Sequence, residues 1–205
     1  MIAGNIYGVV LNDSDELVRL GDALNEKPYT APPKAPVVYM KPRSCVSQGK
    51  VAVPTGEPLT ASPTLAILFK RDVSVASPDT ALDAVGGAML ALDLMRVTNS
   101  YYRPTIAERN GDGFLPLGEA RSFTLPDEIV TYIGGAEVHR WSLSRLARPV
   151  AQLVSDLSQF MTLKGGDVLL VGLPGDAPVA NAGQTVQVQA HGFATLEVVL
   201  QEKAA

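Results

Sequence analysis

The sequence is poor in the residues on which several common kinds of site depend. It has one cysteine, Cys45, and two histidines, His139 and His191, among 205 residues. A single thiol excludes an intramolecular disulfide and is typical of a reducing compartment. The sequence contains no zinc-type Cys/His spacing, P-loop, G-x-G-x-x-G fingerprint or G-x-S-x-G elbow. We therefore expect these three residues to be ordinary structural residues and not reactive ones.

The sequence also lacks an excess of positive charge. Seventeen lysines and arginines stand against 21 acidic residues, which gives a net charge of −4. This balance leaves no basic footprint for nucleic acid. The N-terminus has no basic start or long apolar segment typical of a signal peptide, and no apolar run is long enough to span a membrane. We therefore expect a cytoplasmic protein without nucleic-acid or membrane partners.

The residues that are abundant indicate a β-rich fold. Eighteen glycines and 15 prolines punctuate a sequence that is 46% hydrophobic, and stretches with helical periodicity are few. The apolar runs predict strands over 2–11, 37–40, 51–54, 64–69, 88–92, 128–133, 136–141, 168–171 and 186–190. Helices are predicted over 15–24, from 77 to 86, and over 144–161. The result is a mainly β protein with short helices packed outside the sheets.

The segment 27–36 reads KPYTAPPKAP, which is too rich in proline for a helix or a central strand. It predicts an extended connector. The chain is accordingly divided into a small N-terminal strand–helix unit over 1–30 and a main domain over 31–205.

One loop stands out as a place for a site. It begins at Asp93, expected at the end of strand 88–92, continues through Tyr-Tyr-Arg-Pro at 101–104, and makes an Asp112-Gly113 turn into Phe114. A Pro-x-Gly exit follows at 116–118. Turn residues that lead into apolar ones are typical of a loop wrapped around a pocket.

Three stretches together resemble the fumarylacetoacetate hydrolase family: APPKAPVVYMKP at 31–42, YYRPTIAERNGDGFLPLG at 101–118 and FMTLKGGDVLLVGLP at 160–174. The resemblance covers nearly the whole chain. It implies a mixed β-sheet roll or sandwich. The narrower resemblance is to a branch that decarboxylates and isomerises polycarboxylate 2-oxo acids in aromatic-compound catabolism, and whose members have two homologous halves or two subunits.

The resemblance also implies a metal site from which this sequence departs. Active family members bind Mg²⁺ through a Glu-x-Glu pair on one strand and an aspartate on another. Here Ser62 and Thr64 stand where the two glutamates belong, and Asp93 alone matches a ligand. Because Mg²⁺ needs several hard oxygen ligands, we expect no cofactor bound by this chain alone, and Mg²⁺ or Mn²⁺ in an active homologue.

Other functional residues are carried over by resemblance. Arg109 replaces a family lysine, Glu16 replaces a family histidine, and Leu173 replaces the threonine of a Gly-Thr-Pro segment. The residues implied for catalysis are Arg109, Asp112 and Glu16. The residues implied for substrate binding are Lys41, Tyr102, Arg103 and Phe114. We expect Lys41, Asp93, Arg109 and Asp112 to line one cavity.

Two interpretations remain open at this point. The chain is either a catalytic subunit that acts on a small polycarboxylate, or a non-catalytic structural partner of a metal-bearing homologue. The retained loop over 101–118 favours the first interpretation, and the absent glutamate pair favours the second. The expected partner is the metal-bearing homologue in a hetero-oligomer, or a second copy in a homodimer. Structural roles are equally open for the retained residues, such as a turn cap for Asp93 or an ion pair from Arg103.

Overall fold

The computed structural model describes residues 2–27, 29–54, 56–98 and 105–203. These residues contain fourteen strands and four α-helices, which confirms a mainly β fold. The strands are β1 (Ile6–Val10), β2 (Val37–Lys41), β3 (Val46–Ser47), β4 (Lys50–Val53), β5 (Leu59–Phe69), β6 (Val85–Arg96), β7 (Leu115–Pro116), β8 (Arg121–Ser122), β9 (Glu128–Ile133), β10 (Ala136–Ser142), β11 (Val168–Leu170), β12 (Val179–Ala180), β13 (Thr185–Gln189) and β14 (Leu196–Glu202). The helices are α1 (Ser14–Leu20), α2 (Pro78–Ala81), α3 (Ile106–Arg109) and α4 (Val150–Ser158).

The strands form two large mixed sheets and one small pair. The first sheet has seven strands in the order β2-β1-β11-β5-β6-β8, with β12 also paired to β5. The second has the order β10-β9-β13-β14-β4, and β3 pairs with β7. One apolar cluster contains side chains from both large sheets and from α4, among them Phe69, Trp141 and Leu153. The two sheets and the helix therefore share one core.

Strands β5 and β6 form the centre of the first sheet and carry the site described below. Residues 64–69 and 88–92 are strands with a mostly buried surface, as predicted from their apolar runs. Both strands are longer than predicted, and β5 continues through Pro63. Beside Pro63, β5 has β6 on one side, while β11 pairs only with 66–68 and β12 only with 59–60. A proline without an N–H is tolerated there because no strand of the described residues pairs with that edge.

Three predicted elements need correction. Asp93 lies inside β6 and not at the end of its strand. The helix predicted over 144–161 is confined to α4, because a proline at its N-cap, Pro149, disfavours helical geometry in the residue before it. Phe160, assigned to the buried stripe of that helix, is 63% exposed. The helix that starts at 77 has a single α-turn and becomes a 3₁₀ turn over Leu82–Ala84.

The last strand, β14, was not predicted. Its buried residues Leu196, Val198 and Leu200 alternate with the more exposed Glu197 and Val199. This alternation is the ordinary signal of a half-buried strand, so the sequence did contain the information.

The N-terminal residues contribute directly to the first sheet. Strand β1 pairs in parallel with β11 and antiparallel with β2. Helix α1 follows, with Asp13 as its N-cap. The division of the chain at residue 30 stays a prediction. Among the described residues, no helix has the length and apolar character needed to cross a membrane.

Candidate functional site

Asp93 is the centre of a group of ionisable residues, which we call the Asp93 cluster: Tyr39, Lys41, Asp93 and Arg109. Lys41, Asp93 and Arg109 are buried, and Tyr39 is half-buried. The Lys41 ammonium lies 3.0 Å from Asp93 Oδ1, and Arg109 Nη1 lies 3.2 Å from Oδ2. The Tyr39 hydroxyl donates a hydrogen bond to Oδ2 as well. The side chains of Lys41 and Asp93 are fully shielded from solvent and that of Arg109 is 5% exposed. A single carboxylate thus faces two buried cations.

The Lys41 ammonium is held in place by the backbone. It donates to the carbonyl oxygens of Leu94 at 3.2 Å, Arg109 at 2.7 Å and Phe114 at 2.9 Å. These three acceptors match its three N–H groups, and the charge of Lys41 neutralises Asp93 at 3.0 Å. Burial lowers the pKa of Lys41, and the neighbouring Asp93 opposes that effect. Three carbonyl acceptors are the environment of an ammonium and not of a neutral amine.

Tyr39 is a site residue that the sequence analysis missed. The Arg109 guanidinium carbon lies 4.2 Å from the centre of its ring, in cation–π geometry. Burial, and then the charge of Asp93, raise the pKa of Tyr39 well above its ordinary value. Gly8 gives the ring its space, because a Cβ there would lie 2.1 Å from the ring carbon Cζ. The signal was available, since Tyr39 and Lys41 alternate on one strand and therefore share a face.

The two hydroxyl residues of β5 lie next to this cluster. Ser62 is the register partner of Asp93 on β6, so the two side chains share a face of the sheet. Thr64 is fully buried, and its hydroxyl donates to the carbonyl oxygen of Gly172 at 2.6 Å. Both side chains stay neutral at ordinary pH.

These residues do not fit a divalent metal. Asp93 supplies the only carboxylate of the cluster, and both of its oxygens already lie against cations or a phenol. Among the described residues, no group of three or more His, Cys, Asp or Glu side chains could hold a metal ion. Mg²⁺ requires several oxygen ligands and dehydrates reluctantly. We therefore assign no chemical step to a metal on this chain.

Glu16, the residue implied for proton transfer, lies on α1 and is 4% exposed. Its amide is capped by Asp13 Oδ1 at 3.0 Å, and Arg19 lies 3.8 Å from its carboxylate. The side chain packs on Gly175, where a Cβ would lie 2.4 Å from Glu16 Cβ. The position of Glu16 is therefore fixed by both the helix cap and the loop that contains Gly175.

A second charged group, the Arg145 network, surrounds the start of α1. It consists of Arg145, Asp13, Asp15, Asp176 and His139. Arg145 lies 3.0 Å from each of Asp13 and Asp15 and 2.9 Å from Asp176. Although partial burial acts to raise it, hydrogen bonds from Arg145 and His139 bring the pKa of Asp176 down to about 2.

The Arg145 network is anchored in the core through Asp13. The Asp13 carboxylate is fully buried and accepts a hydrogen bond from Trp141 Nε1 at 2.8 Å. Leu11, two residues earlier, has a φ of 56°, which is uncommon for a residue with a side chain. Backbone strain of this kind concentrates at functional sites.

The structure brings three of the predicted site residues together. Lys41, Asp93 and Arg109 share one cluster. Phe114 joins them through its carbonyl oxygen, while its ring is buried. Asp112 is exposed. Burial is the main cause that raises the pKa of the buried Cys45 thiol, and the charges of Lys41 and Asp112 also affect that pKa. The predicted residues Tyr102 and Arg103 lie outside the described part of the chain.

Fold and site together define a class: a two-sheet β domain in which a central strand pair supports a compact cluster of ionisable side chains. A family model described as the fumarylacetoacetate (FAA) hydrolase C-terminal domain matches residues 5–201. The chain belongs to this family.

The curated relatives refine the comparison. The chain is 34% identical, over 198 residues, to the 4-hydroxyphenylacetate degradation bifunctional isomerase/decarboxylase of Salmonella dublin. That alignment covers 95% of this chain and 46% of the relative. Two relatives from Escherichia coli have the same coverage, so the chain spans about half the length of the curated relatives it matches.

Solved structures support the fold. The 5-carboxymethyl-2-hydroxymuconate delta-isomerase of Mycobacterium smegmatis has a TM-score of 0.83 at 23% identity, covering 99% of this chain and 78% of that one. The fumarylpyruvate hydrolase of Pseudomonas aeruginosa, solved with Mn²⁺ and pyruvate, has a TM-score of 0.82 at 21% identity. Its alignment covers 98% of this chain and 90% of that one. A divalent metal is thus present in one structural neighbour.

Proposed function

We propose that this chain is one subunit of an isomerase/decarboxylase of 4-hydroxyphenylacetate degradation and works beside a homologous, metal-bearing subunit. The reactions would be decarboxylation of 5-oxopent-3-ene-1,2,5-tricarboxylate and isomerisation of the product, 2-hydroxyhepta-2,4-dienedioate. The proposal is supported by the 34% identity to relatives of about twice its length. A cytoplasmic location stays a prediction.

The observation that carries the proposal is the state of Asp93. Loss of CO₂ from such a substrate leaves electrons that a bound metal can accept. In this chain Lys41 and Arg109 already lie against the carboxylate that would hold the ion. The metal-dependent step therefore falls to the partner subunit, which has to supply the glutamate pair.

Within this assembly the chain has two candidate roles. In the first it is catalytic: Glu16 transfers a proton, and Arg109 attracts the substrate carboxylates. In the second it is a structural partner without chemistry of its own. The Asp93 cluster favours the second role, because Lys41 donates hydrogen bonds to three backbone carbonyl oxygens and its charge is neutralised by Asp93.

The first test is an assay of decarboxylation and isomerisation with the purified chain, the metal-bearing homologue, and the two mixed. We expect turnover by the mixture, none by this chain alone, and no micromolar Mg²⁺ or Mn²⁺ binding by this chain in calorimetric titration. Turnover or tight metal binding by the chain alone would mean that other carboxylates act as ligands. A mixture that forms no complex, with this chain a homodimer by light scattering, would refute the two-subunit assembly.

The second test separates the two roles. Glu16→Gln is compared in the assembled complex with Glu26→Gln, which changes an exposed glutamate outside the site. If Glu16 transfers a proton, its replacement lowers kcat by about 10²-fold or more, and complex formation is unaffected. If the chain is a structural partner, both variants retain the turnover of the unmodified complex.

A further inference from the structure

The ammonium group of Lys41 is surrounded by four oxygen atoms of the protein. Asp93 Oδ1 lies 3.0 Å from Lys41 Nζ. The carbonyl oxygens of Leu94, Arg109 and Phe114 lie at 3.2, 2.7 and 2.9 Å. The Lys41 side chain is fully shielded from solvent, so these oxygens take the place of water around a single positive charge.

This oxygen shell has the composition of a site for a monovalent cation. Three of its members are neutral carbonyl oxygens and one belongs to a carboxylate. Carbonyl oxygens replace the hydration shell of K⁺ in selective channels. A divalent ion fits less well, because Mg²⁺ demands octahedral ligands and dehydrates reluctantly, and Ca²⁺ takes about six to eight oxygens. The shell therefore matches an ammonium group or K⁺.

The four oxygens come from two segments that are distant from Lys41 along the chain. Asp93 and Leu94 belong to β6, whereas Arg109 and Phe114 bound the segment 109–114 that follows it. Lys41 reaches both segments from the end of β2. Without a cation, buried oxygens would face one another without a donor, which costs free energy. A positive charge at this position therefore holds 109–114 against β6.

We propose that these four oxygens form a monovalent-cation site, and that Lys41 fills it as a cation tethered to β2. Lys41 then has a structural role, in place of the substrate-binding role that the family resemblance implies. The inference is independent of the proposed function, because it concerns only how the chain holds Asp93 and the segment 109–114 together. It follows that a free cation of the same charge should replace the Lys41 ammonium once the tether is removed.

The test is rescue of the full-length Lys41→Ala variant by added cations, followed by thermal unfolding. The change should lower the unfolding midpoint in tetramethylammonium chloride, a cation without N–H groups that serves as the reference salt. At equal ionic strength, NH₄⁺, K⁺ and n-propylammonium, which replaces the atoms removed, should raise it again. A cation at about ten times its dissociation constant should raise the midpoint by about 3 to 6 °C. Mg²⁺ should give no such rise.

Two further variants serve as controls. Lys41→Met keeps an apolar stem in place without the charge, so it should be destabilised and should not respond to the cations. Lys34→Ala removes an exposed lysine and should unfold like the unmodified chain in every salt.

Several results would overturn the proposal. These are a Lys41→Ala variant as stable as the unmodified chain, no selective rescue by any monovalent cation up to about 200 mM, rescue by Mg²⁺, or an equal response from Lys41→Met. If Lys41→Ala is unfolded in the reference salt, its circular dichroism is recorded in n-propylammonium. Recovery of the β-sheet signal is expected there, and its absence would also overturn the proposal.

Discussion

The two charged groups of this protein differ in composition and in exposure to solvent. The Asp93 cluster sets two cations against one carboxylate, and none of these three side chains is more than 5% exposed. The Arg145 network sets one guanidinium against three carboxylates, of which Asp15 is 65% and Asp176 is 51% exposed. Only Asp13 in that network is fully buried.

This difference in exposure determines how much the loss of a single charge should lower the stability of the fold. Breaking a buried ion pair leaves an uncompensated charge in a medium of low dielectric constant and costs several kcal/mol. Breaking an exposed pair costs little, because water and salt screen both partners. Asp93 is therefore expected to act as a structural counter-ion, whereas the outer carboxylates of the Arg145 network are expected to contribute little to stability.

The largest expected effect comes from Asp93→Asn. The change leaves the Lys41 ammonium and the Arg109 guanidinium buried beside a neutral amide, which should lower the free energy of unfolding by about 3 to 5 kcal/mol. Denaturant titration measures this change in the free energy of unfolding. Asp72→Asn, which removes an exposed partner of Lys164, serves as the control and should cost less than about 1 kcal/mol. Equal costs for the two variants would remove the distinction drawn between buried and exposed pairs.

An intermediate effect is expected at the loop that contacts Glu16. Gly175→Ala adds a methyl group that would lie 2.4 Å from Glu16 Cβ, and overpacking of this kind costs about 1 to 3 kcal/mol. Gly165→Ala is a milder comparison, because the nearest atom to its Cβ is 3.3 Å away. Thermal unfolding of both variants checks the order. If Gly175→Ala proved as harmless as the comparison, Glu16 would not be fixed by this loop.

The smallest effect concerns pH. The pKa of Asp176 is about 2 in the folded protein and 3.8 in its ordinary state. Its stabilisation is therefore complete above about pH 4 and is lost as the pH falls toward 2. Asp176→Asn should cost no more than about 1 kcal/mol at pH 7, because the side chain is half exposed. The free energy of unfolding of Asp176→Asn and of the unmodified chain is measured at pH 7, 4 and 3, and the difference between the two should become smaller as the pH falls. A difference that grows toward low pH would contradict the assigned ion pair.

Local sequence patterns predicted much of the fold. The apolar runs at 64–69 and 88–92 are buried strands, and Gly134-Gly135 turns the hairpin of β9 and β10, with both glycines at positive φ. Predictions based on helical periodicity were less accurate. The helix predicted over 144–161 was expected to begin before Pro149, whereas α4 begins only after Pro149, which is its N-cap.

The candidate site was predicted only in part. Asp93, Ser62 and Thr64 were identified by family resemblance, and β5 and β6 bring Ser62 opposite Asp93. Tyr39 was missed, although it shares a strand face with Lys41. The exposure of Asp112, which lies in a turn, and the complete burial of the Lys41 side chain, at the end of β2, could not be predicted, because the burial of each depends on segments that are distant along the chain.

By itself the sequence determined the β-rich class and the strong central strands, because these follow from residue type and short-range periodicity. The absence of a glutamate pair was recognised only by comparison of Ser62 and Thr64 with the pattern of the family that the sequence resembles. Only the tertiary structure decided what the remaining charges do. Asp13 meets Trp141 across 128 residues, and Lys41 meets Asp93 across a separation of 52. Such contacts depend on which strands pair and which side chains lose water, and a pattern read along the chain contains no information about either.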